Sequence, residues 1–203
     1  MVSAFVHGFV LAFGLIIPLG PQNAFVLSQG ASRGRWLRVL PVVVAASLAD
    51  TVLILLAVLG VSVVVFAVPW LKTALLLAGV CFLGYIGWQT WRSGLGVERG
   101  RDEVGSGSLR RQIGFTLAVS LLNPYAILDT IGVIGTSALA YTGNLKLAFT
   151  AACIVNSWLW FLLLAVAGRM MGRVPAVRAW LNRASAIVMW ASAVYLARGL
   201  FRG

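Results

Sequence analysis

Two of the five acidic residues in this chain, Asp50 and Asp129, lie inside long apolar runs that contain no Lys or Arg. A carboxylate at the centre of a bilayer costs about 2.5 to 3.5 kcal/mol on insertion scales, so an intramembrane acid is a functional candidate by default. Two such anions without an internal cation favour a cationic substrate, protons, or both in turn. The structural alternative is an acid kept protonated and hydrogen-bonded between helices, with Asn23, Asn123 or Asn156 as partner. Asp50 has Ser47 one turn away and Ala45, Ala46 and Ala49 beside it, a setting for close helix contact. The other acids, Glu98, Asp102 and Glu103, fall in a hydrophilic stretch where solvated charge needs no functional role.

Asp129 follows Pro124 by five residues, roughly one and a half helical turns. Asn123-Pro124 reads as an N-cap with proline at the first helical position, and Gly20-Pro21 reads the same way with glycine as the cap. Each break starts a half-helix whose free N–H groups and positive dipole end, around Gln22 and Asn23 or Tyr125 and Ala126, suit an anion such as an α-carboxylate. A proline kink that only shapes packing is the alternative for either break alone. Asn156, Ser157 and Trp158 form a further polar and aromatic cluster, suited to lining a cavity and equally to helix packing. His7 stands alone near one end of its run and reads as interfacial. Cys81 and Cys153 sit in apolar runs and give neither a disulfide framework nor a metal site.

These groups must be positioned by membrane-spanning helices. Of 203 residues, 61% are hydrophobic and 10% charged, and mean hydropathy is +0.96, which excludes a water-soluble domain. Runs long enough to cross about 30 Å of hydrocarbon extend near Ser3 to Gln29, Val39 to Phe66, Leu71 to Trp91, Ile113 to Ala140, Leu147 to Gly168 and Ala184 to Ala197. The expectation is an all-α integral membrane protein of six transmembrane helices. The last run is the shortest, bounded by Arg183 and Arg198, both able to snorkel outward. The first lacks a basic n-region and reads as part of the fold, not as a signal peptide.

The net charge of +11 would suggest nucleic acid in a soluble protein, but placing the charges gives another reading. Arg33, Arg35 and Arg38, then Arg92, Arg99, Arg101, Arg110 and Arg111, then Arg169, Arg173, Arg178 and Arg183 put twelve of the sixteen basic residues in the odd connectors. Lys72, Lys146, Arg198 and Arg202 remain for the other side. The positive-inside rule makes the odd loops cytoplasmic and places both termini outside the cytoplasmic membrane. Trp36, Trp88, Trp91 and Trp180 then mark the cytoplasmic interface and Trp70 the outer one. The excess charge reports orientation in a lipid bilayer, and no nucleic-acid partner is expected.

The one long connector, 93–111, divides residues 1–92 from residues 112–203, three helices in each part. An odd count inserts the second part upside down, so the chain is expected to form two inverted-topology repeats of three with helices one and four broken. Paired Gly/Pro interruptions point to the binding site of an inverted-repeat secondary transporter. Exporting a cation against an inside-negative potential costs about 2.3 kcal/mol per charge per 100 mV, and an aspartate that trades a proton for substrate supplies the compensating inward charge. No enzyme chemistry and no cofactor are expected. Metal export is disfavoured because the interrupted segments lack Cys and His. Neutral amino acids, other small cations, or a non-transporting scaffold or channel are the alternatives, and a second copy of the chain stays open as a partner.

The stretch Pro18-Leu19-Gly20-Pro21-Gln22-Asn23-Ala24-Phe25-Val26-Leu27-Ser28-Gln29-Gly30 resembles the LysE-type basic amino acid exporters, especially their arginine-exporting branch. The resemblance continues at Ser47-Leu48-Ala49-Asp50, at Leu122-Asn123-Pro124 and at Leu128-Asp129-Thr130, and covers essentially the whole chain. It implies an inner-membrane exporter of arginine or lysine with Asn23, Asp50, Asn123 and Asp129 at the motif positions. Family members often carry tyrosine just before the Leu-Asp pair and tryptophan two residues before the Asn-Pro pair, where this chain has Ile127 and Leu121. That departure implies a differently shaped site. Together with the breaks, the candidate substrate-binding residues are Gln22, Asn23, Asp50, Asn123, Tyr125, Asp129 and Asn156, with Asp50 and Asp129 also expected to couple protons.

Overall fold

The computed structural model describes residues 1–17, 20–32, 36–60, 69–94, 109–121, 126–127, 130–172 and 174–200. Its helices are α1 (Val2–Ile16), α2 (Pro21–Ser32), α3 (Trp36–Val58), α4 (Pro69–Gly94), α5 (Leu109–Leu121), a π-helical segment (Thr130–Gly135) leading into the short α6 (Thr136–Ala138), α7 (Gly143–Met171) and α8 (Pro175–Leu200). Three of them begin at a proline, where the missing N–H has no intrahelical partner to lose. α3 ends where Gly60 takes φ +93°; Leu59 and Gly60 donate their N–H groups back to Leu55 and Ala57, the left-handed stop that glycine makes without strain.

Val39–Val58 and Gly143–Met171 are each long and apolar enough to cross a bilayer, and α1 with α2, bent by 79° across the intervening break, adds a third if the pair is one broken span and not a re-entrant loop. α4 and α8 have 26 residues each, about 39 Å of helix at 1.5 Å per residue. α8 is longer than the sequence suggests: Arg178 and Arg183, expected in a loop, belong to a helix that starts at Pro175. A long arginine stem allows its charged head to leave a helix toward water, so two arginines do not end one. Helix likewise continues through Gly94 and resumes at Leu109, shortening the 93–111 connector from both sides. The second span, expected to reach Phe66, is helical only to Val58, and 61–68 lies outside the described residues.

α7 is the hub. It packs on α1, α2 and α3; α3 also packs on α5 and the π-helical segment; α4 pairs with α8, which lies against α2. Glycine permits the closest approaches. A Cβ added to Gly30 would sit 2.5 Å from the Ala165 carbonyl oxygen, and one added to Gly168 or Gly172 would strike the backbone of Leu27 or Ala31. Gly168 and Gly172 form a small-xxx-small ridge, the sequence device by which membrane helices meet backbone to backbone.

Two larger apolar clusters divide the interior along its length, and a third, smaller one joins Leu53 and Ala57 of α3 to Ile127 and Ile131. Of the larger two, one unites Phe25 and Val26 of α2, Val39 to Ala46 of α3, Val119 of α5, Phe161 to Ala165 of α7 and Met189 of α8. The other unites Ala4 and Ala12 of α1, Ile54 and Val58 of α3, Ile134, Ala138, and Phe149 and Cys153 of α7. On α3 the stretch from Ser47 to Asp50 lies between them, and on α7 so does the stretch from Asn156 to Ser157. Ile16 at the end of α1 packs against the first of these clusters and Leu121 at the end of α5 against the smaller third one.

Candidate substrate site between the clusters

Asp50 is 8% exposed, and the Ser157 hydroxyl donates to its Oδ2 at 2.5 Å. Among the described residues no Lys or Arg pairs with it. α3 and α7 run antiparallel here, so the residue one step along each helix is also near the crossing. Trp158 Nε1 donates to Thr51 Oγ1 at 3.1 Å, while Thr51 donates to the Ser47 carbonyl at 2.7 Å. Asn156 is only 2% exposed, and its Nδ2 has no hydrogen-bond partner among the described residues.

The same is true of Gln22 Nε2, Ser47 Oγ and Ser120 Oγ. A buried donor left unpaired costs roughly 1–3 kcal/mol, and native structures keep few of them. These four, on four helices, describe a polar layer with hydrogen bonds still to make; a fifth unpaired donor among the described residues, Trp160 Nε1, lies one turn beyond Asn156 against the first apolar cluster.

The first break shows how α2 begins. The Gly20 carbonyl accepts the Ala24 N–H at 3.0 Å and Pro21 opens the helix, so glycine caps and proline occupies the first position. Asn23 serves the break itself: its Nδ2 donates to the Ile16 carbonyl, the last of α1, at 2.6 Å. Gln22, at 6% exposure, is buried beside it. Asn123, Pro124, Tyr125 and Asp129 lie outside the described residues. The residues that flank them do not: Ile127 and Ile131 pack on Leu53 and Ala57 of α3, one and two turns beyond Asp50. His7 is exposed, with its Nδ1 2.8 Å from the Tyr141 hydroxyl, away from this layer. Cys153 is a buried free thiol that donates to the Gly8 carbonyl.

Ser157, Thr51 and Ser120 join the layer although none of them is among the substrate-binding candidates drawn from the sequence. A signal for the first two exists in an internal register. Shifted by 106 positions, Gly8-Phe9, Leu11-Ala12, Leu15 and Pro18 fall on the identical Gly114-Phe115, Leu117-Ala118, Leu121 and Pro124, and Ala45-Ala46 falls on Ala151-Ala152. In that register Asp50-Thr51 matches Asn156-Ser157, Asn23 matches Asp129, and the proline equivalent to Pro124 is Pro18, not Pro21.

Comparison with known proteins places these features in a family. The family model described as LysE type translocator matches residues 13–200. A protein of Bacillus subtilis (strain 168) named "Putative amino-acid transporter YisU" is 49% identical over 98% of this chain and 91% of its own length. The "Arginine exporter protein ArgO" of Pectobacterium carotovorum subsp. carotovorum (strain PC1) is 33% identical over 98% of both chains. That of Salmonella paratyphi C (strain RKS4594) is 34% identical over 98% of this chain and 95% of its own. No solved structure matches significantly.

Proposed function

The chain belongs to the LysE type translocator family, which makes it a transporter and not an enzyme, and from that premise we propose that it exports basic amino acids, arginine first, across the cytoplasmic membrane in exchange for protons. The observation that carries this reading is Asp50: a buried carboxylate without a cationic partner among the described residues, in a layer of unpaired donors between two apolar clusters. An anion so placed is stable when it holds a proton or a cationic ligand, and alternation between the two is the chemistry of exchange.

In this reading Asp50 and Asp129 receive the cationic portion of the substrate and take up protons on the return. The half-helix starts at Gln22 and Asn23 and at Tyr125, together with Asn123 and Asn156, offer donors to the carboxylate. Gly20, Pro21 and Pro124 open the breaks that free those donors. Protons moving inward offset the roughly 2.3 kcal/mol per 100 mV that each exported positive charge costs. The relatives named as arginine exporters support arginine as substrate.

The architecture we propose is two inverted repeats, residues 1–92 and 112–203, joined by the connector. The packing pattern supports it: α1 and α2 lie on α7 as α5 and the π-helical segment lie on α3, while α3 meets α7 and α4 meets α8, each helix its own equivalent. Such a pair of repeats rocking about the polar layer gives alternating access.

The test is export from proteoliposomes. Asp50→Asn and Asp129→Asn, inserted at normal levels, are expected to lower arginine and lysine counterflow at least tenfold and to abolish its response to a proton gradient. Export at the unmodified rate by both variants sinks the proposal. A second reading, export of neutral amino acids, is compatible with the name of the 49% identical relative, which specifies an amino acid and no side-chain charge. Counterflow of leucine or threonine exceeding that of arginine in the unmodified protein selects it.

A further inference from the structure

The register that matches Asp50-Thr51 with Asn156-Ser157 sets the same pattern on both helices at their crossing, an acid or amide followed by a hydroxyl. Two equivalent hydrogen bonds would satisfy this pattern, Ser157 to Asp50 and Thr51 to Asn156. Only the first is made, at 2.5 Å. The Thr51 hydroxyl donates instead to the Ser47 carbonyl and accepts from Trp158. The broken symmetry leaves two groups of opposite character at one helix crossing: a carboxylate fixed through one oxygen, and, next to Ser157, the Asn156 amide, buried and with no acceptor among the described residues.

We propose that this crossing reads the head group of an α-amino acid, Asp50 accepting from the α-ammonium and Asn156 Nδ2 donating to the α-carboxylate, with Ser157 as the positioning residue that holds Asp50 in place. The inference rests on the amino acid exporter reading above and narrows it. An α-amino acid presents a cation and an anion on one carbon, which matches an acceptor and a donor carried at one crossing. Ser157 acts through Asp50. Its hydroxyl fixes one carboxylate oxygen, leaving the remaining acceptor positions for the ligand. Asn156 has no internal bond to lose through Nδ2, so replacing it by leucine removes an unsatisfied donor without breaking a hydrogen bond made by that atom.

The experiment compares arginine with arginine methyl ester, which keeps both cations and lacks the carboxylate charge, as inhibitors of labelled arginine counterflow in proteoliposomes. The unmodified protein is expected to prefer arginine at least tenfold. Asn156→Leu is expected to lose that preference, and Asn156→Gln, which retains an amide donor, to keep part of it. Ser157→Ala is expected to raise the KM for arginine about tenfold without changing the ratio of the two inhibitors, and Ser157→Thr to restore it. If Asn156→Leu does not accumulate in the membrane, Asn156→Asp takes its place, with the ester now expected to inhibit better than arginine. The proposal is overturned if the unmodified protein accepts the ester as well as arginine, or if the preference survives both Asn156→Leu and Asn156→Asp. Full arginine export by Asp50→Asn also overturns the proposal, whereas absence of arginine counterflow in the unmodified protein is a separate result, which removes the exporter reading itself.

Discussion

Gln22 and Asn23 are neighbours in sequence and opposite in what their amides do. Asn23 closes the first break by giving its Nδ2 to the Ile16 carbonyl, one of the helix-end acceptors that α1 cannot satisfy internally. Gln22 Nε2 has no partner among the described residues. Asn23→Leu is therefore expected to destabilise the protein by about 1–3 kcal/mol, read as a lower unfolding temperature in detergent. Gln22→Leu is expected to leave that temperature unchanged and to raise the KM for arginine. A lowered unfolding temperature for Gln22→Leu alone reverses the assignment. Asp50 is legible in the sequence because a lone acid in an apolar run is too costly to keep unless it is paired or used. The bond from Ser157 is not, since a helical hydroxyl ordinarily bonds its own backbone, as Thr51 and Thr150 do toward the carbonyls four residues back. Only the antiparallel crossing of α3 and α7 decides that Ser157 reaches across to another helix.

At the scale of elements, the prolines at 21, 69 and 175 mark where helices start, and the first of these is readable from sequence as a break with its glycine cap. The extent of α8 is not, because a stretch holding Arg178 and Arg183 has the charge density of a loop, and only the reach of arginine stems reconciles it with a helix. The π-helical segment Thr130–Gly135 has no sequence signature at all. It widens the chain beside α3, and Thr136 steadies its end by donating to the Gly132 and Val133 carbonyls. The contact between α2 and α7 gives a sharper expectation. A side chain at Gly168 meets the Leu27 backbone, which cannot rotate away, so the strain exceeds the roughly 1–3 kcal/mol of ordinary overpacking. Gly168→Leu is expected to abolish recovery of a monodisperse species by size-exclusion chromatography. Gly14→Ala, where a Cβ meets nothing within 4 Å, is expected to behave as the unmodified protein. Equal recovery of both variants contradicts the packing of α2 on α7.

The molecule as a whole has one end marked by arginine over tryptophan. Arg169 of α7 lies over Trp36 of α3, Arg183 of α8 over Trp91 of α4, and Arg92 over Trp88, at 5.8 to 5.9 Å from the ring centres. These residues come from the flanks of the first, third and fifth connectors, so three separate stretches of basic sequence converge on one end of the bundle. Paired in this way, the cations can remain at the depth of the headgroups, where tryptophan also prefers to lie. The charge bias among connectors, twelve basic residues against four, favours that end facing the cytoplasm, where short basic loops are retained during insertion. Alkaline phosphatase fused after Gly203 is then expected to be active and green fluorescent protein at the same place dark, with both signs reversed for fusions within 95–108. The reverse pattern would invert the molecule and overturn this orientation, but it would leave the direction of exchange unchanged, because that direction is set by the gradients across the membrane and not by which end of the bundle faces in.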